Sequence, residues 1–110
     1  AIEAGKVILE VYDTNFNVEY KADHSPLTEA DRKSNQVIRK YLSNTNTPIL
    51  SEEEKAIPFV KRKQWNQLWI VDPLDGTKEF IERNGEFTVN IALVEDNMIV
   101  AGVVYVPVQD

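Results

Sequence analysis

The stretch from residue 68 to residue 77 reads Leu68-Trp69-Ile70-Val71-Asp72-Pro73-Leu74-Asp75-Gly76-Thr77. Its first four residues form an apolar run that is typical of a buried strand. The two carboxylates that follow, Asp72 and Asp75, stand on a predicted turn. Carboxylate oxygens bind hard cations such as Mg²⁺, and the backbone N–H groups of a turn bind phosphate oxygens. An ordinary turn explains Pro-Leu-Asp-Gly equally well, so the hexapeptide alone leaves both interpretations open.

Two further acidic segments precede this turn. Ser51-Glu52-Glu53-Glu54 follows the short apolar segment at residues 48–50, and Glu52 stands 20 residues before Asp72 (72 − 52). If residues 48–50 form a strand beside residues 68–71, Glu52 and the aspartates converge at one edge of the sheet. A solvated acidic face is the alternative. Further upstream, Thr28 and Asp31 have the spacing of a helix capping box, which explains Asp31 without a catalytic role.

In this order and spacing, the three elements resemble the inositol monophosphatase superfamily of Mg²⁺-dependent, lithium-sensitive phosphatases. The shared motifs are an acidic Glu-Glu pair, then Asp-Pro-(Ile/Leu)-Asp-Gly-Thr, with a Thr-x-x-Asp helix start upstream. Residues 69–81 and 84–93 resemble the 3′(2′),5′-bisphosphate nucleotidase branch, because Lys78-Glu79-Phe80 stands where inositol phosphatases more often carry Thr-Asn-Phe. The resemblance covers essentially the whole chain of 110 residues.

The resemblance implies a Mg²⁺-dependent hydrolase that removes the 3′-phosphate of adenosine 3′,5′-bisphosphate to give AMP, with a link to sulfur assimilation. Inositol monophosphate and fructose 1,6-bisphosphate are the alternative substrates, and a non-catalytic interaction module is the alternative class. Members carry a second half with a further metal-binding aspartate, so we expect an N-terminal fragment that is inactive by itself and self-associates. A cytoplasmic location is expected, with peripheral attachment to the inner membrane as a variant.

The resemblance also implies a role for each site residue. Two or more Mg²⁺ ions are expected, and their ligands are Glu52, Asp72, the carbonyl oxygen of Leu74, and Asp75. The residues expected to be catalytic, because they orient the attacking water, are Asp31, Glu52 and Thr77. The residues expected to contact the substrate are Glu52, Asp75, Gly76, Thr77 and Lys78. A solvated lysine explains Lys78 equally well.

Composition restricts the chemistry further. Cysteine is absent, which excludes disulfides, thiolate metal sites and cysteine nucleophiles, and His24 is the only histidine, expected in a loop. The net charge of −6 argues against duplex nucleic acid as a partner. It does not argue against a small phosphorylated substrate, because bound cations invert the local charge. The longest apolar stretch, residues 98–108, is shorter than the roughly 20 residues of a membrane-spanning helix.

The hydrophobic pattern predicts an α+β fold in one domain over residues 1–110, with a helix pair packed on a largely antiparallel sheet. Helices are predicted over residues 2–12 and 28–42. The inward face of the second helix is predicted to comprise Ala30, Ser34, Val37, Ile38, Tyr41 and Leu42. Strands are predicted over residues 18–21, 48–50, 68–71, 87–94 and 98–106, and the last two form a hairpin.

Overall fold

The structure, a computed structural model, describes residues 1–14 and 26–110. The helices are α1 (Ile2–Tyr12), α2 (Pro26–Leu42), α3 (Phe59–Arg62) and α4 (Thr77–Ile81). The strands are β1 (Ile49–Ser51), β2 (Gln67–Asp75), β3 (Thr88–Glu95) and β4 (Met98–Tyr105), and short 3₁₀ turns cover Ser43–Thr45 and Pro107–Gln109. The strand predicted over residues 18–21 and the loop position predicted for His24 lie outside the described residues.

The four strands form one sheet in the order β1-β2-β3-β4. β1 runs parallel to β2, whereas β2 with β3 and β3 with β4 are antiparallel. The β3–β4 hairpin turns at Asp96 and Asn97, whose φ angles of 50° and 65° are those of a two-residue turn with left-handed central residues. The predicted α+β fold with a largely antiparallel sheet is therefore confirmed.

The helix pair packs on one face of the sheet and forms the core with it. α1 buries Ala4, Ile8 and Val11, and α2 buries Ala30, Ser34 and Ile38. Two details of the α2 prediction are wrong. Tyr41 is 60% exposed, and Thr28 lies inside the first turn because the helix includes Pro26, so Thr28 is not its capping residue.

Three aromatic rings fix the segment that follows the Asp72–Thr77 stretch. Phe80 on α4 and Phe87 before β3 are both fully buried, and their ring centroids lie 5.3 Å apart. Tyr12 at the end of α1 contacts both rings, at 5.4 and 4.9 Å. Such offset and edge contacts stabilise beyond the area that they bury. The sequence pattern did not predict α4, and this aromatic cluster is what holds so short a helix in place.

Strand β4 forms one edge of the sheet and is exposed along nearly its whole length. Met98, Ile99 and Val104 are 69%, 72% and 72% exposed, respectively. Among the described residues, none of the helices combines the length and apolar character needed to cross a bilayer.

Candidate functional site

The register of the parallel strands brings the first acidic segment to the second. Ile49 pairs with Trp69 and Ser51 with Val71, an offset of 20 residues (69 − 49). The next position in register, one residue beyond the end of β1, therefore places Glu52 beside Asp72, which lies within β2. The Glu52 N–H donates to the Val71 carbonyl at 3.1 Å, which fixes the backbone of Glu52 there. The predicted convergence is confirmed for Glu52 and Asp72.

Strand β2 does not end at Asp72, where the sequence predicted a turn to begin. Asp72 pairs with Asn90 and Asp75 pairs with Thr88, so the ladder skips Pro73 and Leu74. This irregularity is a bulge, a feature that bends a strand and redirects its side chains. Pro73 and Leu74 are buried, the latter at 5% exposure, while Asp75 is exposed. The predicted turn is therefore a bulged strand end, because buried contacts keep these residues against the core.

Helix α2 holds both acidic segments through three side-chain contacts. The buried Ser34 hydroxyl donates to the Pro73 carbonyl oxygen at 2.7 Å. One residue further on, Asn35 Oδ1 accepts a 2.7 Å hydrogen bond from the Ser51 hydroxyl. Arg39 Nη1 then lies 2.6 Å from Glu54 Oε2, an ion pair at the half-buried end of the acidic run. These contacts fix the position of α2 relative to both strand ends, and α2 is the element that carries Asp31.

The carboxyl groups at this edge face one another. Burial, then the adjacent Glu52 carboxyl and the charge of Asp75, raise the pKa of Asp72 to about 6, although the Leu74 N–H lowers it in part. Burial raises the pKa of Asp31 to about 8, and the surrounding carboxylates add to the rise, namely Glu53, Asp72 and Glu52. Burial and the neighbouring Glu52 also raise the pKa of Glu53. Burial and neighbouring like charge thus both disfavour ionisation of the carboxyl groups at this edge of the sheet.

Asp72 and Asp75 differ in their hydrogen-bond partners. Asp72 Oδ1 is buried and accepts no hydrogen bond from any described residue. Asp75 is exposed, and its Oδ2 accepts a 3.1 Å hydrogen bond from Asn90 Nδ2. A buried carboxylate oxygen without a donor costs free energy, so Asp72 Oδ1 is a position where a cation or a donor would be stabilising.

The segment after Asp75 has the geometry of a helix start. Gly76 has a φ of +100° and precedes the first residue of α4. A Cβ added to Gly76 would lie 3.2 Å from the Phe87 Cα, so both the backbone angle and the space require glycine. Thr77 is exposed at the first helical position. Lys78 is 77% exposed, with its ammonium 4.0 Å from Glu82, which matches the solvated alternative given above.

The carboxylates converge without forming a ready-made cation cage. Across residues 1–14 and 26–110, no group of three or more histidine, cysteine, aspartate or glutamate side chains is arranged to hold a metal ion. The expectation that Glu52, Asp72 and Asp75 lie close enough to share a cation is therefore wrong for the side chains as they stand. The chemistry of these groups nevertheless fits a hard cation, because all of them offer oxygen ligands. One of these oxygens, Asp72 Oδ1, is buried and receives no hydrogen bond from the described residues.

Four residues of this site were missed as site residues from the sequence: Ser34, Asn35, Ser51 and Asn90. Ser34 was predicted to face inward. The helical periodicity behind that prediction does not show to which backbone carbonyl its hydroxyl will donate. Asn90 lies within the strand predicted over residues 87–94, and nothing in the sequence set it apart from its neighbours. A polar residue at a core-facing position is the signal that could have identified Ser34.

Comparison with known proteins agrees with this geometry. The sequence pattern of the inositol monophosphatase family matches residues 1–110. The chain is 52% identical over 112 residues to the 3′(2′),5′-bisphosphate nucleotidase CysQ of Salmonella typhimurium, covering 98% of this chain and 45% of that protein. It is 48% identical over 114 residues to CysQ of Escherichia coli K12, covering 100% and 46%.

Solved structures give the same result. CysQ from Bacteroides thetaiotaomicron, a bacterial member of the inositol monophosphatase family, is similar with a TM-score of 0.91 and 56% identity, over 98% of this chain and 40% of that one. The extragenic suppressor protein suhB from Bartonella henselae is similar with a TM-score of 0.77 and 34% identity, over 100% and 42%. The chain spans under half the length of the curated relatives that it matches. It belongs to the inositol monophosphatase family.

Proposed function

We propose that this chain carries the cation- and phosphate-binding part of a Mg²⁺-dependent phosphatase that removes the 3′-phosphate of adenosine 3′,5′-bisphosphate. The observation that carries the proposal is the position of Glu52, just after β1, beside Asp72 on the parallel strand β2, where a buried Asp72 oxygen has no hydrogen-bond partner among the described residues. The similarity to nucleotidases named CysQ supports the substrate class. In this proposal the enzyme acts in the cytoplasm and serves sulfur assimilation.

The residues proposed to hold the cations are Glu52, Asp72, the carbonyl oxygen of Leu74, and Asp75. Glu52 and Asp75 are exposed, so their side chains can rotate toward a cation that their present positions do not enclose. Asp72 is held more firmly, by the register of β2 and by the Ser34–Pro73 hydrogen bond next to it. When bound, the cations would supply Lewis-acid stabilisation of the phosphoryl oxygens and of the attacking and leaving groups.

The other proposed roles belong to the chain's own groups. Asp31 and Thr77, together with Glu52, orient the attacking water, and no covalent nucleophile is required because phosphoryl transfer depends mainly on positioning and charge neutralisation. Backbone N–H groups of Gly76 and Thr77 donate to the phosphate oxygens, since the first N–H groups of a helix have no partner within it. Lys78 contributes positive charge beside the phosphate from an exposed position.

Inositol monophosphate remains the second candidate substrate. The similarity to solved inositol monophosphatases, such as the one from Zymomonas mobilis with a TM-score of 0.77 and 33% identity, favours keeping it in the test. Lys78-Glu79-Phe80 is the local feature that favours a bisphosphonucleotide, and these three residues lie within the five-residue helix α4 beside the proposed phosphate site.

A hybrid enzyme tests the proposal. Residues 1–110 replace the matching part of Bacteroides thetaiotaomicron CysQ, with which they share 56% identity. The hybrid is expected to release phosphate from adenosine 3′,5′-bisphosphate faster than from inositol monophosphate, in a Mg²⁺-dependent and lithium-inhibited reaction. Asp75→Asn should abolish this activity. Asp96→Asn, an exposed turn position that tolerates asparagine, is the matched control and should leave it unchanged.

Full activity in Asp75→Asn would reject the metal-ligand role of Asp75, and a preference for inositol monophosphate would reject the substrate assignment. The 110-residue chain by itself is expected to show no measurable hydrolysis.

A further inference from the structure

Asn90 is tied to both aspartates of the site by its position on β3. Its backbone pairs with Asp72 across the sheet, and side chains of directly paired residues project from the same face. Its side chain reaches past the bulge, where Nδ2 donates to Asp75 Oδ2 at 3.1 Å. Asn90 therefore contacts the residues on both sides of the bulge, Asp72 through backbone pairing and Asp75 through its side chain.

The orientation of the Asn90 side-chain amide follows from charge. An ionised carboxylate only accepts hydrogen bonds, so the amide nitrogen and not the amide oxygen must face Asp75. This orientation leaves Asn90 Oδ1 buried without a hydrogen-bond partner in residues 1–14 and 26–110, like Asp72 Oδ1 across the ladder. The alternative orientation would place two acceptors against each other at 3.1 Å. The contact with Asp75 therefore determines the orientation of the amide, even though its oxygen gains no partner.

Asn90 is the only hydrogen-bond partner that the described residues offer the Asp75 side chain. Asp75 is exposed and stands where β2 ends, so its carboxylate would otherwise sample several rotamers. The hydrogen bond engages Oδ2 and leaves Oδ1 as the oxygen available to a ligand.

We infer that Asn90 is a positioning residue for Asp75. The inference rests on the proposed function, because it assigns the bond between Asn90 and Asp75 the task of holding a cation ligand in its binding orientation. Partners of ligating carboxylates generally matter nearly as much as the ligands themselves, and their loss typically lowers metal affinity by 10- to 100-fold. Asn90 is not a catalytic residue, since it acts through Asp75.

The first test needs no metal ion and no activity. In the 110-residue chain, the side-chain amide signals of Asn90 are followed by ¹H–¹⁵N NMR. Asp75→Asn is expected to shift the proton that donates to Oδ2, whereas the control Asp96→Asn leaves the Asn90 signals in place. If the chemical shifts of the Asn90 side-chain amide do not change in Asp75→Asn, the inference is overturned, whatever the metal affinity.

The second test measures Mn²⁺ affinity by electron paramagnetic resonance, because Mn²⁺ accepts the same oxygen ligands as Mg²⁺. Asn90→Leu, which keeps the shape but removes the donor, is expected to weaken Mn²⁺ binding about tenfold. In the Asp75→Asn background the same change should have no further effect, which distinguishes positioning from a general loss of stability. An equal loss in both backgrounds would overturn the inference. A chain that binds no Mn²⁺ would reject the proposed cation site and, with it, the positioning role, while the NMR result still decides whether the contact exists.

Discussion

The hydrogen bond from Ser34 to Pro73 gives a direct test of how the site is positioned. Ser34→Ala removes the hydroxyl that donates to the Pro73 carbonyl oxygen at 2.7 Å, at a position with no solvent exposure. The β2–β3 ladder skips Pro73, so β3 supplies no replacement donor. A buried acceptor left without a partner costs about 1–3 kcal/mol, and the smaller side chain recovers part of this because a hydroxyl no longer has to be desolvated. We expect a net loss of about 1–2 kcal/mol in the free energy of unfolding.

The assay is urea unfolding of both proteins followed by tryptophan fluorescence, with thermal unfolding as a second measurement. A loss of this size corresponds to a decrease in Tm of about 5–10 °C for a domain of this length. Ser43→Ala is the matched control, because the Ser43 hydroxyl also donates to a backbone carbonyl, Arg39 O at 2.5 Å, but in an exposed position. It should change stability by less than about 0.5 kcal/mol. Equal stabilities for the two variants would refute the reasoning.

Three other perturbations have defined outcomes. Gly76→Ala should lower the free energy of unfolding in urea by about 1–2 kcal/mol, because Gly76 has a positive φ and an added Cβ would lie 3.2 Å from the Phe87 Cα. The control Gly102→Ala should not destabilise the chain, because no atom lies nearer than 3.7 Å to a Cβ added there. Burial raises the pKa of Asp31 to about 8, so the folded chain retains a proton that the unfolded chain releases above about pH 3.9. Stability should therefore decrease from about pH 4 to pH 8, and Asp31→Asn should flatten that decrease in Tm. The chain should self-associate through β4 in sedimentation experiments, and Val104→Lys, at a position 72% exposed, should favour the monomer.

The sequence predicted those parts of the fold that depend on local pattern. The apolar runs before Glu52 and Asp72 were recognisable, and their spacing of 20 residues became the register offset of β1 and β2. The β3–β4 hairpin was predicted from two strand-like segments a few residues apart, and its turn residues have the positive φ angles of a two-residue turn. In each case the signal lies within one or two short segments, so no knowledge of the tertiary structure was needed.

The rest of the site depends on contacts between segments far apart in the sequence. The bulge at Pro73 and Leu74 exists where Ser34, 39 residues away, supplies a donor to a carbonyl that β3 leaves unpaired. In the sequence, Asn90 looks like an ordinary polar residue of a strand. Only the bulge in β2 places Asp75 within hydrogen-bonding distance of its side chain. Five residues are too few for α4 to show a helical period, and the burial of Phe80 holds it in place.

The same dependence explains the imperfect cation site. The sequence identifies which oxygen ligands are available, and the strand register brings Glu52 and Asp72 together. The spacing of these residues in the sequence does not determine which side-chain rotamers would enclose an ion. In addition, carboxylates that face each other without a cation repel one another. The raised pKa values of Asp31 and Asp72 record that repulsion together with burial.

A Mg²⁺ titration of the 110-residue chain, followed by backbone ¹H–¹⁵N NMR, tests most directly whether this sheet edge binds a cation. We predict weak but saturable shifts confined to residues 51–53 and 71–77 and to Asn90, and their loss in Asp72→Asn. Shifts spread evenly over the acidic surface, or shifts at the site that persist in Asp72→Asn, would contradict the proposed cation site.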